Sequence, residues 1–122
     1  MLKKKKVLLA EDDASMRRFI EVILQKADYD VLTAEDGLTA MQIALETEID
    51  AVVADAIMPN MSGYDLCRML RSRQIPCIIL SGLADNHSNG DDLANVFLTK
   101  DTNLKEELLA ALQNLLATNE HQ

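Results

Sequence analysis

The chain lacks the features that several large protein classes require. Its 122 residues include two cysteines, too few for a disulfide framework, and we interpret Cys67 and Cys77 as small buried hydrophobic residues in a reduced protein. No apolar run approaches the roughly 18 residues of a membrane span. The lysines after Met1 are not followed by the apolar segment of a signal peptide. We therefore expect a cytoplasmic protein without a membrane segment.

Positive charge and histidine are also scarce. The chain has 12 Lys plus Arg against 20 Asp plus Glu, a formal net charge of −8, whereas a nucleic-acid surface needs a basic face. We predict no direct nucleic-acid binding. The run of four lysines at residues 3–6 is interpreted as the solvated start of a strand. His87 and His121 lie in polar stretches and are interpreted as solvated, so the chain offers few candidates for a general base.

Short apolar runs alternate with longer stretches of helical period, which is the pattern of βα units wound into a parallel sheet. We predict an α/β fold, a (βα)5 doubly wound five-stranded parallel sheet of the flavodoxin-like class, forming a single domain over residues 1–122 with a polar tail from about residue 117. The predicted strands are 7–10, 29–34, 51–54, 77–80 and 96–98. The polar segment 84–95 predicts only a shortened or disordered fourth helix.

Apolar spacing within each predicted helix indicates the face that packs on the sheet. The first helix is expected to begin at a cap, Asp13 or Ser15, and to pack through a stripe at Met16, Phe19, Ile20, Ile23, Leu24 and Ala27. The second is expected to bury Leu38, Met41 and Leu45, and the third Leu66, Met69 and Leu70. The last has a wide leucine stripe over residues 104–116, for which core packing is favoured over self-association as a homodimer.

The candidate functional side chains follow four of the five predicted strands, namely the first, third, fourth and fifth. Because the carboxyl ends of parallel strands meet at one edge of the sheet, we expect these side chains to gather there. Three carboxylates in one cleft would repel one another unless Mg²⁺ and an ammonium neutralised them. The set comprises Glu11, Asp12, Asp55, Ser81 and Lys100.

This set has the groups that phosphoryl transfer to a carboxylate requires. Asp55 is the candidate nucleophile and needs no base, Mg²⁺ binds phosphoryl oxygens, and Ser81 and Lys100 supply a hydroxyl donor and a cation. Each residue alone also has an ordinary interpretation, since acids and serines cap helices and lysines are commonly solvated. Their joint occurrence at successive strand ends favours the functional interpretation.

Four segments resemble one known family, the receiver domains of bacterial two-component response regulators of the chemotaxis type. The similarity spans nearly the whole chain and rests on VLLAEDD at residues 7–13, on Asp55 with MP at 58–59 and SG at 62–63, on ILSG at 79–82 and on FLTK at 97–100. No single segment is specific, but the combination is. The resemblance implies a phosphoprotein that receives a phosphoryl group from a phosphohistidine and signals through protein contacts.

The resemblance also implies a role for each matching residue. Asp55 would be the phospho-acceptor, served by a sensor histidine kinase or a histidine phosphotransfer protein. The Mg²⁺ ligands would be Asp12, Asp55, the backbone carbonyl of Ile57 and, mainly through a bound water, Glu11. Ser81 and Lys100 would contact the phosphoryl group, and Phe97 would be the aromatic residue that moves inward with Ser81.

Three departures from the family pattern affect these expectations. Asp101 stands where the family usually has a proline after the lysine, so we expect a trans peptide bond, a shifted loop and an acid that holds Lys100 before phosphorylation. The segment before Phe97 is short, which puts the usual partner face in doubt. Ile57 and Leu83 flank the path of the hydrolytic water and are apolar, which predicts a long-lived acyl phosphate.

Two other functions remain open from the sequence. The first is a receiver-like interaction module that works without phosphorylation, which uptake of beryllofluoride with Mg²⁺ would exclude. The second is a Mg²⁺ phosphohydrolase, which has no candidate general acid or base near Asp55 and which multiple turnover on a phosphate ester would reveal.

Overall fold

A computed structural model describes residues 3–82 and 96–120 of the chain. Its elements, in chain order, are β1 Lys6–Ala10, α1 Ala14–Lys26, β2 Asp30–Ala34, α2 Gly37–Glu46, β3 Ala51–Asp55, α3 Gly63–Arg71, β4 Cys77–Ser81, β5 Val96–Thr99 and α4 Leu104–Glu120. The predicted fourth helix, at residues 84–95, lies outside the described part, as does Leu83.

The five strands form one parallel sheet in the order β2-β1-β3-β4-β5. The chain adds β2 on one side of β1 and then crosses to add β3 on the other, so the strand order reverses between β1 and β3. This is the flavodoxin-like order of a doubly wound sheet, in which binding sites form at the carboxyl ends beside the reversal. The predicted fold class is confirmed.

Helices cover both faces of the sheet, and alternate residues of the strands face each layer. Leu8, Val52 and Ile79 belong to the core cluster with α2 and α3, whereas Val7, Val53 and Ile78 belong to the cluster with α1 and α4. Strands β1, β3 and β4 are almost wholly buried because both their faces are covered. This coverage on both faces explains why the sequences of these strands are almost entirely apolar.

Side-chain caps begin the first three helices. Asp13 accepts a hydrogen bond from the Met16 N–H at 2.7 Å, which confirms Asp13 over Ser15 as the cap of α1. Asp36 caps α2 through the Thr39 N–H at 2.7 Å, and Ser62 caps α3 through the Asp65 N–H at 3.1 Å. Each cap follows a strand and a loop, so capping fixes where the chain turns back over the sheet.

Several predicted inward positions were wrong. Leu38 and Leu45 of α2 are about half exposed, and Ala40 and Ala44 are buried in their place. Small side chains let the helix lie close to the sheet, which rotates the larger leucines toward solvent. Phe19 of α1, Ala27 at the C-cap of that helix and Met69 of α3 are likewise exposed.

The leucine stripe of α4 forms part of the core, as predicted. Its fully or nearly buried members share one face of the helix: Leu104, Leu108, Leu112 and Leu116. Leu109 and Leu115 are partly buried against the same cluster. Core packing therefore accounts for the stripe without self-association.

Adjacent residues of α3 give a matched test of this packing. We expect Leu70→Ala, at a fully buried position, to lower the free energy of unfolding by about 2–5 kcal/mol, because it leaves a cavity. Met69→Ala, at a position 49% exposed, should cost less than about 1 kcal/mol. Urea denaturation followed by circular dichroism measures both, and equal losses would contradict the orientation of α3.

Candidate metal and phosphoryl site

Two carboxylates lie in the centre of the carboxyl edge of the sheet, beside the reversal of strand order. Asp55 is the last residue of β3, and Glu11 directly follows β1, its N–H donating to the Ala34 carbonyl at 3.0 Å. The Glu11 side chain is fully buried and Asp55 is 8% exposed. Neighbouring parallel strands of matching length thus bring two acids to one point.

Asp12 completes a group of three carboxylates. One oxygen from each of Glu11, Asp12 and Asp55 lies within 4.8 Å of the other two, whereas Asp12 itself is exposed to solvent. Carboxylate oxygens are the ligands that hard divalent cations prefer, and the separation suits a shared ion. The donor set fits Mg²⁺, and the exposed acid leaves the cluster open to solvent on one side.

Lys100 neutralises part of this charge. Its Nζ lies 2.9 Å from Glu11 Oε1 and 3.1 Å from Asp55 Oδ1, and its side chain is only 18% exposed. The Lys100 N–H donates to the Ser81 carbonyl at 2.9 Å, which continues the pairing of β4 with β5. The backbone therefore places the ammonium between the two buried acids.

Burial and ion pairing oppose each other in this group. Burial raises the pKa of Glu11, and the Lys100 ammonium and the Asp13 N–H, which lies 3.1 Å from Glu11 Oε2, only partly offset that rise. Burial alone would lower the pKa of Lys100, but its contacts with Glu11 and Asp55 outweigh burial and raise it. The ammonium therefore stays charged at neutral pH.

Asp101 does not displace Lys100 from the site. No cis peptide bond occurs among the described residues, as predicted for the bond before Asp101. The expectation that Asp101 holds the ammonium was wrong, since the ion pairs of residues 3–82 and 96–120 join Lys100 to Glu11 and Asp55. Asp101 Oδ1 instead accepts from the Asn103 N–H at 2.9 Å, because the chain turns there into α4.

Ser81 ends β4 next to the acceptor strand. Its register places it one residue beyond Leu80, the partner of Asp55. The side chain is 1% exposed, and its Oγ has no hydrogen-bond partner among the described residues. A buried hydroxyl without a partner costs free energy, so a ligand that accepted its hydrogen bond would offset that cost.

Phe97 lies in β5 beside Ile79 of β4 and is partly buried. Its ring centroid is 6.4 Å from that of Tyr64 on α3, with the ring planes at 38°. Phe97 packs against the same core cluster as α2 and α3. It therefore lies between the strand that ends at Ser81 and the helix that follows the Asp55 loop.

The loop from Asp55 to α3 is held close to the strand. A Cβ atom on Gly63 would lie 2.2 Å from the Asp55 carbonyl oxygen, so only glycine fits there. The Gly63 N–H donates to the Ala56 carbonyl at 3.0 Å, and the Ala56 N–H donates to the Leu80 carbonyl at 2.8 Å. Ile57, next in the loop, is 65% exposed.

Two contacts that shape the site were not predicted from the sequence. The Arg17 guanidinium of α1 donates to the Glu11 carbonyl at 2.9 Å and so fixes the turn that carries the acids. Asn60 in the Asp55 loop donates through Nδ2 to Asp36 Oδ2 at 2.8 Å. The position of an arginine one turn into the helix after the acids is the one sequence feature that indicates the Arg17 contact. Nothing in the sequence near Asn60 indicates its contact with Asp36.

Comparison with known proteins identifies the class of protein. The model of the response regulator receiver domain matches residues 7–113, and the chain belongs to that family. Response regulator ArlR from Staphylococcus saprophyticus is 33% identical over 115 residues, which cover 91% of this chain and 52% of ArlR. The chain therefore spans about half the length of the curated relatives it matches.

Solved structures agree with the family assignment. The receiver domain of sensor histidine kinase PA1611 from Pseudomonas aeruginosa, with magnesium coordinated in its active-site cleft, has a TM-score of 0.84 at 28% identity over 94% of this chain and 99% of that one. Response regulator TrrA from Thermotoga maritima, in complex with Mg²⁺ and BeF, has a TM-score of 0.82 at 26% identity over 92% and 99%.

None of the helices in residues 3–82 and 96–120 is long and apolar enough to cross a membrane.

Removing the ammonium tests the electrostatics of the cleft. Without divalent cations, we expect Lys100→Met to lower the free energy of unfolding by about 1–3 kcal/mol near neutral pH, because Glu11 is left buried without a cation. In the folded variant the Glu11 carboxyl keeps its proton at pH values where the unfolded chain, with the ordinary pKa of 4.5, has released it. The loss of stability relative to the unmodified chain therefore grows as pH rises above 4.5. Urea denaturation across pH measures this.

Lys105→Met is the matched control, since Lys105 is an exposed lysine in the first turn of α4. Its effect should be small at every pH. A deficit for Lys100→Met that does not change with pH, or that equals the effect of the control, would contradict the proposed charge balance.

Proposed function

We propose that the chain is a receiver that takes a phosphoryl group from a phosphohistidine onto Asp55. The observation that carries this proposal is the contact of one ammonium with two buried acids, 2.9 Å from Glu11 and 3.1 Å from Asp55, in a cluster that fits a divalent cation. A sensor histidine kinase or a histidine phosphotransfer protein supplies the group. The output is a change in protein contacts.

Each residue of the site has its own role in the phosphoryl transfer. An Asp55 carboxylate oxygen attacks phosphorus and forms the acyl phosphate bond, while the bond from phosphorus to the donor histidine nitrogen breaks and its electron pair stays on that nitrogen. Asp12, Asp55, the Ile57 carbonyl and, less directly, Glu11 would hold Mg²⁺, which when bound would offset the charge of the phosphoryl oxygens. Lys100 contacts a phosphoryl oxygen and so leaves its present position between Glu11 and Asp55.

The buried hydroxyl of Ser81 would give the phosphorylated state a further contact. Its Oγ has no partner among the described residues, and a phosphoryl oxygen would accept its hydrogen bond. Because Ser81 and Phe97 belong to paired strands, a shift of Ser81 toward Asp55 changes the space beside Phe97. Phosphorylation thus favours a second packing of β4, β5 and α3, which a partner protein distinguishes.

Labelling with a small phosphodonor tests the acceptor. Incubation with acetyl phosphate and Mg²⁺ should add one phosphoryl group to the chain, and Asp55→Asn should abolish the gain because an amide is not a nucleophile here. Intact-mass spectrometry measures it.

Asp13→Asn is the control, because Asn caps α1 as well as Asp and leaves the three acids in place. It should be labelled normally. Full labelling of Asp55→Asn would refute the assignment. Absence of labelling in the unmodified chain, together with no Mg²⁺-dependent uptake of beryllofluoride, would favour an interaction module that works without phosphorylation.

The lifetime of the phosphoryl group tests the role of Ile57. Its exposed aliphatic side chain stands two residues beyond Asp55 and cannot hydrogen-bond a water, so we expect slow hydrolysis. Ile57→Asn should speed decay roughly ten- to hundredfold, because an amide can orient water. Phosphate release from the purified protein measures both rates. A lifetime of only seconds in the unmodified chain would contradict this prediction.

A further inference from the structure

The loop between Asp55 and α3 is fixed at both ends by the backbone. At its start the Ala56 N–H donates to the Leu80 carbonyl of β4 at 2.8 Å. At its end the Gly63 N–H returns to the Ala56 carbonyl at 3.0 Å, with Gly63 packed against the Asp55 carbonyl. A change of conformation within the loop must therefore be absorbed by residues 57–62, which include Ile57.

The tip of this loop has an uncommon backbone conformation. Asn60 has a φ of 70°, in the left-handed region, and the Met61 N–H donates to the Pro59 carbonyl at 2.7 Å. A positive φ inside a three-residue turn closed by such a bond is the classic γ-turn, which is rare and strained. Conformations of this kind persist only where surrounding contacts hold them, and Asn tolerates them better than most residues.

The contacts that hold the tip come from the start of α2, 24 residues earlier in the chain. Asn60 Nδ2 donates to Asp36 Oδ2 at 2.8 Å, while Asp36 Oδ1 caps α2 through the Thr39 N–H at 2.7 Å. A Cβ atom on Gly37 would lie 2.0 Å from the Met61 carbonyl oxygen, so the helix terminus and the loop touch directly. One carboxylate thus fixes a helix start and a loop tip together.

We propose that Asn60 and Asp36 are positioning residues for the metal and phosphoryl site, acting through the loop that carries the Ile57 carbonyl. This inference rests on the proposed function, which places that carbonyl among the Mg²⁺ ligands. Loss of the Asn60 to Asp36 bond frees the γ-turn to relax, and the fixed ends direct the change toward Ile57. The start of α2 is in this way coupled to the affinity of the site for Mg²⁺.

Two variants remove the bond while one keeps the positive φ at residue 60 and the other keeps a cap on α2. Asn60→Gly deletes the side chain but accepts the positive φ, and Asp36→Ser still caps α2 but has no second oxygen for Asn60. Each should weaken Mg²⁺ binding by roughly three- to tenfold, which is the change that loss of one ordinary, solvent-exposed hydrogen bond implies. Isothermal titration of the phosphate-free protein with MgCl₂ measures the affinity.

A double variant tests whether the bond itself is responsible. In Asp36→Asn with Asn60→Asp, the new amide donates to the new carboxylate and still offers an oxygen to the Thr39 N–H. Affinity should return to within about twofold of the unmodified chain. In the metal-free proteins, the Met61 amide should exchange hydrogen faster in Asn60→Gly and recover in the double variant, a readout that does not depend on Mg²⁺.

Gln74→Gly is the matched control, since Gln74 is an exposed residue with a φ of 61° at the opposite end of the sheet. It should leave the Mg²⁺ affinity unchanged, and thermal unfolding shows that each variant folds. Normal Mg²⁺ binding by Asn60→Gly and Asp36→Ser would overturn this inference and leave the proposed function intact. No Mg²⁺ binding by the unmodified chain would overturn the metal site, and this inference with it.

Discussion

The site depends on the ion pairs that the Lys100 ammonium forms with Glu11 and Asp55. Two buried carboxylates close together repel each other, and burial already raises the pKa of Glu11. The ammonium permits both to stay in the cleft because it contacts each within 3.1 Å. Since Asp12 adds a third, exposed acid, the site keeps unbalanced negative charge. That excess negative charge attracts a divalent cation, which under the proposed function would then offset the charge of the phosphoryl oxygens.

The backbone of the sheet positions the three charged groups. Glu11 and Asp55 extend neighbouring strands, and Lys100 is fixed through its backbone bond to Ser81. The acids are therefore ordered by burial of the strands, not by their own interactions. The same construction explains why an aspartate in place of proline after Lys100 is tolerated: the strand pairing ends at Lys100 itself, and Asp101 turns away to the backbone of Asn103.

Around this rigid centre lie groups whose contacts are incomplete or strained. Ser81 has a buried hydroxyl without a partner in the described residues, and Asn60 holds a positive φ in the loop after Asp55. The pairing of β4 with β5 connects the strand of Ser81 to that of Phe97, and a side-chain hydrogen bond connects Asn60 to Asp36 of α2. Under the proposed function, phosphorylation acts on two sides of the domain, through β4 and β5 on one and through α2 on the other.

The sequence by itself determined the strands, their parallel arrangement and the gathering of Glu11, Asp12, Asp55 and Lys100, because apolar runs specify buried strands and parallel strands end at one edge. It did not determine the orientation of α2, where apolar residues surround the helix and the fit of Ala40 and Ala44 to the sheet decided which face is buried. Nor did it show that Lys100 pairs with Glu11 instead of Asp101, or that Asn60 reaches Asp36. Such contacts join residues far apart in sequence, and only the tertiary structure sets the distances and directions on which hydrogen bonds and ion pairs depend.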